Sequence, residues 1–300
     1  MNHYPSNVKE KLNSIILSMA EHHWFFSKNP GHDFTRQHLG KLSFYDTMRL
    51  IISMGKGSTN DEIMDYFDLD PDLIPSQSAF CQRRRQISLS AFEYLFSEFS
   101  SSFPSTTDKF KDHCILACDG CHVVYATNSD IIEDYNKPRL IDYKGYNHMH
   151  LNGFVDVISK AFLDVVIQPG QQPDEREALH SMLDHFTPDD PQKYIITADR
   201  GYESYDLLFH CELKNLGYVF RVKSPSSPKS ILSYYASELP DDLEEFDVTI
   251  KRFFTDKATN IMKSQSDVYR YINPSKNTPH FYELLRKKPQ SSLFPAVSRC

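Results

Sequence analysis

The sequence predicts an α/β protein: an all-helical N-terminal domain, then a mixed sheet with flanking helices, then a β-rich segment. Two observations carry this. Apolar residues recur at helical spacing through the first hundred positions. Beyond residue 112, short apolar β-rich runs that end at acids or glycines are interspersed with amphipathic helices. At 300 residues and 34.8 kDa the chain has room for two domains. The expected boundaries are 1–107 (helical), 110–224 (sheet core), 225–288 (partial β-rich segment) and 289–300 (a non-native tail without helical or strand period, of the kind premature termination or a frame change produces).

In the first domain, Val8, Leu12, Ile15, Ile16 and Met19 mark one helix with Ser6 as its N-cap. A second runs from Phe44 to Met54 and stops at Gly55 and Gly57. A third begins after Ser58 with first-turn acids Asp61 and Glu62 and ends at Phe67. Ser76 or Ser78 caps a fourth, which carries Arg83, Arg84 and Arg85, and Leu89 to Phe99 forms a fifth. In the second domain the expected order is a strand ending at Cys118, an irregular segment over 120–150, then a hairpin of 153–158 with 162–167. Helix 175–186, strand 194–198, helix 205–216 closed by Gly217, and strand 218–223 follow.

Composition excludes several classes. Hydrophobic residues at 40% and charged residues at 24% exclude wholesale disorder. No run of about 18 apolar residues exists to span a membrane. Six cysteines without an N-terminal signal sequence read as reduced thiols of a cytoplasmic protein. The net charge of −7 is uneven: residues 111–204 hold 8 Lys and Arg against 16 Asp and Glu. An acidic centre between more basic flanks suits a metal site between partner-binding surfaces, although solvated surface acid is the commoner cause.

Two apolar strands end alike, at Asp119-Gly120 and at Asp199-Arg200-Gly201-Tyr202. If they are neighbours, both carboxylates emerge at one sheet edge. Hard oxygen ligands of this kind hold Mg2+, and two ions can clamp the attacking and leaving oxygens of a phosphoryl displacement. The plainer reading is that each Asp opens a turn.

Around these acids the chain resembles the insertion-sequence DDE transposases of the Asp-Arg-Gly-Tyr type. The resemblance is carried by Asp199 to Tyr202, by Lys144 to Asn147 with His150 to Asn152, by Asp164 to Gly170, and by Tyr218 to Lys223. It covers roughly residues 110 to 255. It implies a ribonuclease-H-like core and a metal-dependent reaction. Water attacks the phosphodiester at the transposon end, and the freed 3′ hydroxyl then attacks target DNA. It further implies Asp119 and Asp199 as catalytic, metal-binding acids, Arg200, Gly201 and Tyr202 as structural or phosphate-facing motif residues, and Mg2+ (with Mn2+ as substitute) as cofactor. Double-stranded DNA, as transposon ends and target, is the implied partner, and a homodimer a compatible assembly.

The family also needs a late-helix Glu within Tyr-x2-Arg-x3-Glu-x6-Lys, and no segment after residue 223 fits. Arg286 stands four rather than three residues after Tyr282, and Gln290 stands where the acid belongs. Tyr269-Arg270 fails too, and Glu244, Glu245 and Glu283 lack the pattern. The expectation is a C-terminally truncated transposase whose β-rich insertion is incomplete and which does not cleave efficiently.

Three further readings stand beside this one. The helices ending at Phe67 and Ile87 can form a helix-turn-helix variant presenting Arg83, Arg84 and Arg85 to DNA, or a helical bundle with a solvated basic edge. Arg221 and Lys223, alternating with Val222 on a strand, are candidates to face DNA. Cys114, Cys118 and Cys121 with His122 have the spacing of an iron–sulfur or zinc ligand set, but residues four apart on a strand stand about 13 Å apart. The remaining alternatives are a non-catalytic DNA-binding remnant that inhibits a full-length relative, and a metal-dependent nuclease unrelated to transposition.

Overall fold

Serine capping organises the N-terminal unit of the computed structural model, in which residues 4–34, 41–102, 109–137, 145–239, 246–249, 252–255, 260, 264, 269–272, 279–281, 283, 292–293 and 296–299 are described. The chain divides into Met1–Pro104 and Ser105–Cys300. Helix α1 spans Tyr4–Glu21, so Ser6 lies inside it rather than at its cap. Ser43 starts α2 (Phe44–Ser53) with a capping box closed by Asp46. Ser58 caps α3 (Thr59–Tyr66), and Ser76 caps α4 (Gln77–Gln86) by accepting from the Ala79 N–H. Helix α5 covers Leu89–Ser101. Ile16, Met19, Phe44, Met48 and Ala91 form one core of this unit; Leu42, Leu50, Ile63 and Phe80 form another.

The second unit is a mixed sheet. Strand β1 (Cys114–Tyr125) pairs antiparallel with β3 (Tyr146–Asp156), which also takes β2 (Tyr135–Asn136) and β4 (Phe162–Pro169). On its other side β1 pairs parallel with β5 (Tyr194–Ala198), and β5 pairs parallel with β6 (Gly217–Phe220). The crossovers carry α6 (Glu175–His185) and α7 (Tyr205–Leu213). Their apolar faces bury Leu179, Met182, Leu183 and Leu207 against Leu116, Cys118, Phe154 and Ile196 of the sheet.

Several sequence expectations are corrected. The segment 120–150 is not irregular throughout: β1 runs on to Tyr125 and β3 begins at Tyr146, joined in register from Leu116–Asp156 to Tyr125–Asn147. Its polar residues alternate across a paired ladder, a pattern that apolar-run counting overlooks. Helix α7 ends at Leu213, and the turn is made by Asn215 at φ 55° rather than by Gly217, which opens β6. Strand β6 stops at Phe220, so Arg221 and Lys223 lie beyond it.

Further on, β7 (Phe246–Thr249) and β8 (Arg252–Thr255) are followed by β9 (Tyr269–Tyr271). The expected tail is not free of structure. Strand β10 (Ser292–Leu293) pairs with β8, and β11 (Ala296–Arg299) pairs with β7. Phe254, Ile272 and Phe281 bury against Phe209 of α7. Lys144, Glu244, Glu245, Tyr282, Arg286 and Gln290 lie outside the described residues. No helix among the described residues is long and apolar enough to cross a membrane.

Candidate active site

The parallel pairing of β1 with β5 aligns Cys118 with Ala198. Asp119 and Asp199 are therefore the next residues along on neighbouring strands, which run about 4.8 Å apart. Both side chains are exposed. Asp119 Oδ1 accepts the Gly120 N–H at 2.9 Å, and Asp199 Oδ1 accepts the Gly201 N–H at 2.7 Å. The adjacency that the sequence left conditional is thus present in the backbone register.

A third acid, Glu175, borders both loops. Its Oε1 lies 3.0 Å from the point where a Gly120 side chain would begin, and its Oε2 lies 3.0 Å from the same point on Gly201, where Asp199 Oδ1 is at 2.9 Å. Any Cβ at Gly120 would also collide with His150 and crowd Asn152 Oδ1. At Gly120 the His150 ring leaves no room for a side chain, whereas at Gly201 the near neighbours are the ends of the Asp199 and Glu175 carboxylates.

Glu175 is held in place by a polar relay. Asn152 Nδ2 donates to Gln168 Oε1 at 3.2 Å, and Gln168 bonds both the N–H and the C=O of Asp174. Asp174 caps α6 by accepting from the N–H groups of Arg176 and Glu177. Arg176 Nε donates to the Gly201 carbonyl at 3.2 Å, tying the helix start to the Asp199 loop. His150 Nε2 lies 3.4 Å from Glu175 Oε1. Burial draws the His150 pKa below the ordinary histidine range, against the pull of Glu175. His150 Nδ1 and Asn152 Oδ1 are buried without a hydrogen-bond partner. Asp119, Asp199 and Glu175 are hard oxygen donors of the kind that hold divalent cations, but among the described residues their oxygens do not come together as a group of three possible metal ligands.

The Asp-Arg-Gly-Tyr motif divides in role. Arg200 is exposed. Tyr202 is not phosphate-facing: its ring is fully buried in the sheet–helix core beside Cys118. Burial pushes its hydroxyl pKa up and that of the Cys118 thiol up to about 12. Glu203, the next residue, has its carboxylate enclosed. It accepts from the Lys223 N–H at 3.2 Å, the Ser230 hydroxyl at 2.9 Å and the Ile231 N–H at 2.6 Å. Lys223 Nζ pairs with it at 3.2 Å and donates to the Arg200 carbonyl at 3.0 Å. The Lys223 charge is therefore neutralised internally, and Lys223 does not share a strand face with Arg221.

Of the arginines on α4, Arg83 is half-buried, 5.2 Å over the Phe34 ring and bonded to Gln86. Arg84 and Arg85 are exposed. Cys114, Cys118 and Cys121 occupy one extended strand, the first two buried and the third exposed. No group of three possible metal ligands among the described residues includes them.

Sequence reasoning missed Glu175, Asn152, Gln168 and Glu203 as parts of this site. Asn152 and Gln168 lie in segments that carry the family resemblance, and Asp174-Glu175 stands at a helix start, but the part each plays in the site depends on tertiary contact. Against this geometry, residues 110–299 match the family model described as transposase DDE domain. No curated protein matches the chain.

Proposed function

Since the chain belongs to the DDE transposase family, whose members generally use divalent metal ions and act on DNA, we propose that it binds transposon ends and holds Mg2+, or Mn2+, between Asp119 and Asp199. The observation that carries this is the strand register, which sets both acids side by side at the exposed end of a parallel strand pair. The antiparallel β2-β3-β1 sheet continuing into parallel β5 and β6 supports a ribonuclease-H-like reading of the core.

In this reading the bound metal supplies Lewis-acid activation of the scissile phosphate. Asp119 and Asp199 present the oxygens that hold it. Glu175 and Asn152 Oδ1 line the adjoining space. Gly120 and Gly201 let Glu175 and its neighbours pack against both loops, and Arg200 offers an exposed cation nearby. Arg84 and Arg85 contribute phosphate contacts from the helical unit.

The reading includes a deficit. A Glu in the Tyr-x2-Arg-x3-Glu-x6-Lys context is not among the 300 residues. Glu175 lies outside that context, at the start of α6 and 3.4 Å from His150 Nε2. These 300 residues accordingly retain binding and cleave poorly, which would let them occupy ends that a relative carrying that acid needs.

Purified full chain, incubated with duplexes from the DNA flanking its own gene, should give a gel shift with little Mg2+- or Mn2+-dependent nicking. Efficient end-specific nicking lost in Asp119→Asn overturns the deficit. Nicking without end preference favours an unrelated nuclease. Absence of any shift overturns DNA binding.

A further inference from the structure

Between α6, α7 and residues 279–281, three histidines face one another. His180, His210 and His280 each offer a ring nitrogen, and these atoms lie within 4.8 Å of one another. His180 Nδ1 is 2.9 Å from His210 Nδ1. The ring of His280 stacks on both, with centroids 4.5 Å from His180 and 4.0 Å from His210. The outer nitrogens meet carboxylates. His180 Nε2 lies 3.5 Å from Asp206 Oδ2, His210 Nε2 lies 3.2 Å from Asp184 Oδ1, and His280 Nδ1 lies 2.7 Å from Asp206 Oδ2. Asp206 is itself buried and accepts the N–H groups of His280 and Phe281.

This arrangement poses a proton problem. A neutral imidazole has one N–H and one lone pair. If each ring gives its N–H to its carboxylate, the inner nitrogens of His180 and His210 point lone pairs at each other across 2.9 Å. Turning one N–H inward instead sets a lone pair against a carboxylate. A cation among the inner nitrogens resolves the conflict. Carboxylate-oriented imidazoles are the usual outer shell of a bound transition metal.

We propose that His180, His210 and His280 form a binding site for a divalent transition metal, Zn2+ by preference, with Asp184 and Asp206 orienting the rings. Tetrahedral coordination sets ligand nitrogens about 3.3 Å apart; the observed nitrogens lie within 4.8 Å of one another, so loading turns the His280 ring out of its stack on His180 and His210. Two carboxylates balance the charge of the ion. His210 is buried, and His180 and His280 are partly exposed, so the ion has an entry edge. The site is structural: it fastens residue 280, and with it Phe281 on Phe209, to the α6–α7 layer. It uses none of Asp119, Glu175 or Asp199 and stands independently of the proposed DNA chemistry.

The test is a Co2+ titration of the purified full chain after chelation, read by the visible ligand-field absorption of tetrahedral Co2+. One equivalent should bind with that spectrum and be displaced by Zn2+. An Asp119→Asn/Asp199→Asn double variant should retain it, while His210→Asn and His280→Gln should each weaken it about a hundredfold. No such absorption in the wild type overturns the site, as does its loss in the double Asp variant or its persistence in both His variants. Because His210→Asn can unfold the helix pair, the midpoint of thermal unfolding with and without Zn2+ is measured on the double Asp variant. A clear rise supports the site, and an unchanged midpoint overturns it.

Discussion

The carboxylate of Glu203 receives both the main-chain N–H and the ammonium of Lys223, each at 3.2 Å, and does so fully enclosed. A residue one step beyond the Asp-Arg-Gly-Tyr motif thereby anchors the chain leaving β6. Glu203→Ala leaves the Ser230 and Ile231 donors and the Lys223 charge without their acceptor. It should cost about 3 kcal/mol in urea denaturation, and a loss within a few tenths would show that the carboxylate is dispensable.

Gly201 lies between the Asp199 and Glu175 carboxylates. Gly201→Ala puts a methyl group within about 3 Å of Asp199 Oδ1 and Glu175 Oε2, forcing the acids apart. Mn2+ affinity, followed by electron paramagnetic resonance, should fall roughly tenfold with far-UV circular dichroism unchanged. Unaltered affinity would place the ion elsewhere.

Tyr202 separates a core role from a phosphate-facing one. Tyr202→Phe should leave both DNA affinity and its salt dependence as in the wild type, since the ring is buried. Tyr202→Ala should destabilise the fold by about 4 kcal/mol through lost packing. A steeper drop in DNA binding than in stability for Tyr202→Phe would return the hydroxyl to the interface.

Arg84→Ala and Arg85→Ala should each lower DNA affinity uniformly across sequences and reduce the slope of log affinity against log salt by about one. Arg83→Ala should act mainly on stability, because its guanidinium lies on Phe34 and bonds Gln86. Equal salt slopes for all variants would exclude α4 from the DNA interface.

Asp134 accepts from the Tyr125 hydroxyl at 2.5 Å and from the Gly170 N–H at 2.9 Å. These bonds hold its carboxyl below the ordinary range. Stability from a depressed carboxyl is present above the unfolded-state pKa and is lost as pH falls through the folded one. Tyr125→Phe should therefore be less stable than the wild type at neutral pH, with the gap closing in acid. A gap that stays constant with pH would deny the linkage.

Residues 43–101 show which features local chemistry makes legible. Ser43, Ser58 and Ser76 precede acids or apolar-periodic runs, and a cap satisfies donors within three residues of itself, so α2, α3 and α4 begin where their serines stand. Strand β5 ends at Ala198 for a similar reason: its apolar run is short and bounded by Asp199. The polar half of β1 and the start of β3 were not legible, because their ladder is satisfied by a partner about thirty residues away.

Sequence alone set the helix starts from α2 onward, the end of β5 before Asp199 and the family resemblance, all of which depend on neighbours in the chain, whereas Asp119 lies within β1 rather than at its end. The approach of Glu175 to Gly120 and Gly201, the burial of Glu203 against Lys223, and the meeting of His180, His210 and His280 were decided only by the packing of α6 and α7 on the sheet. Such contacts join residues dozens of positions apart, and their chemistry exists only after apolar burial has brought the backbone together.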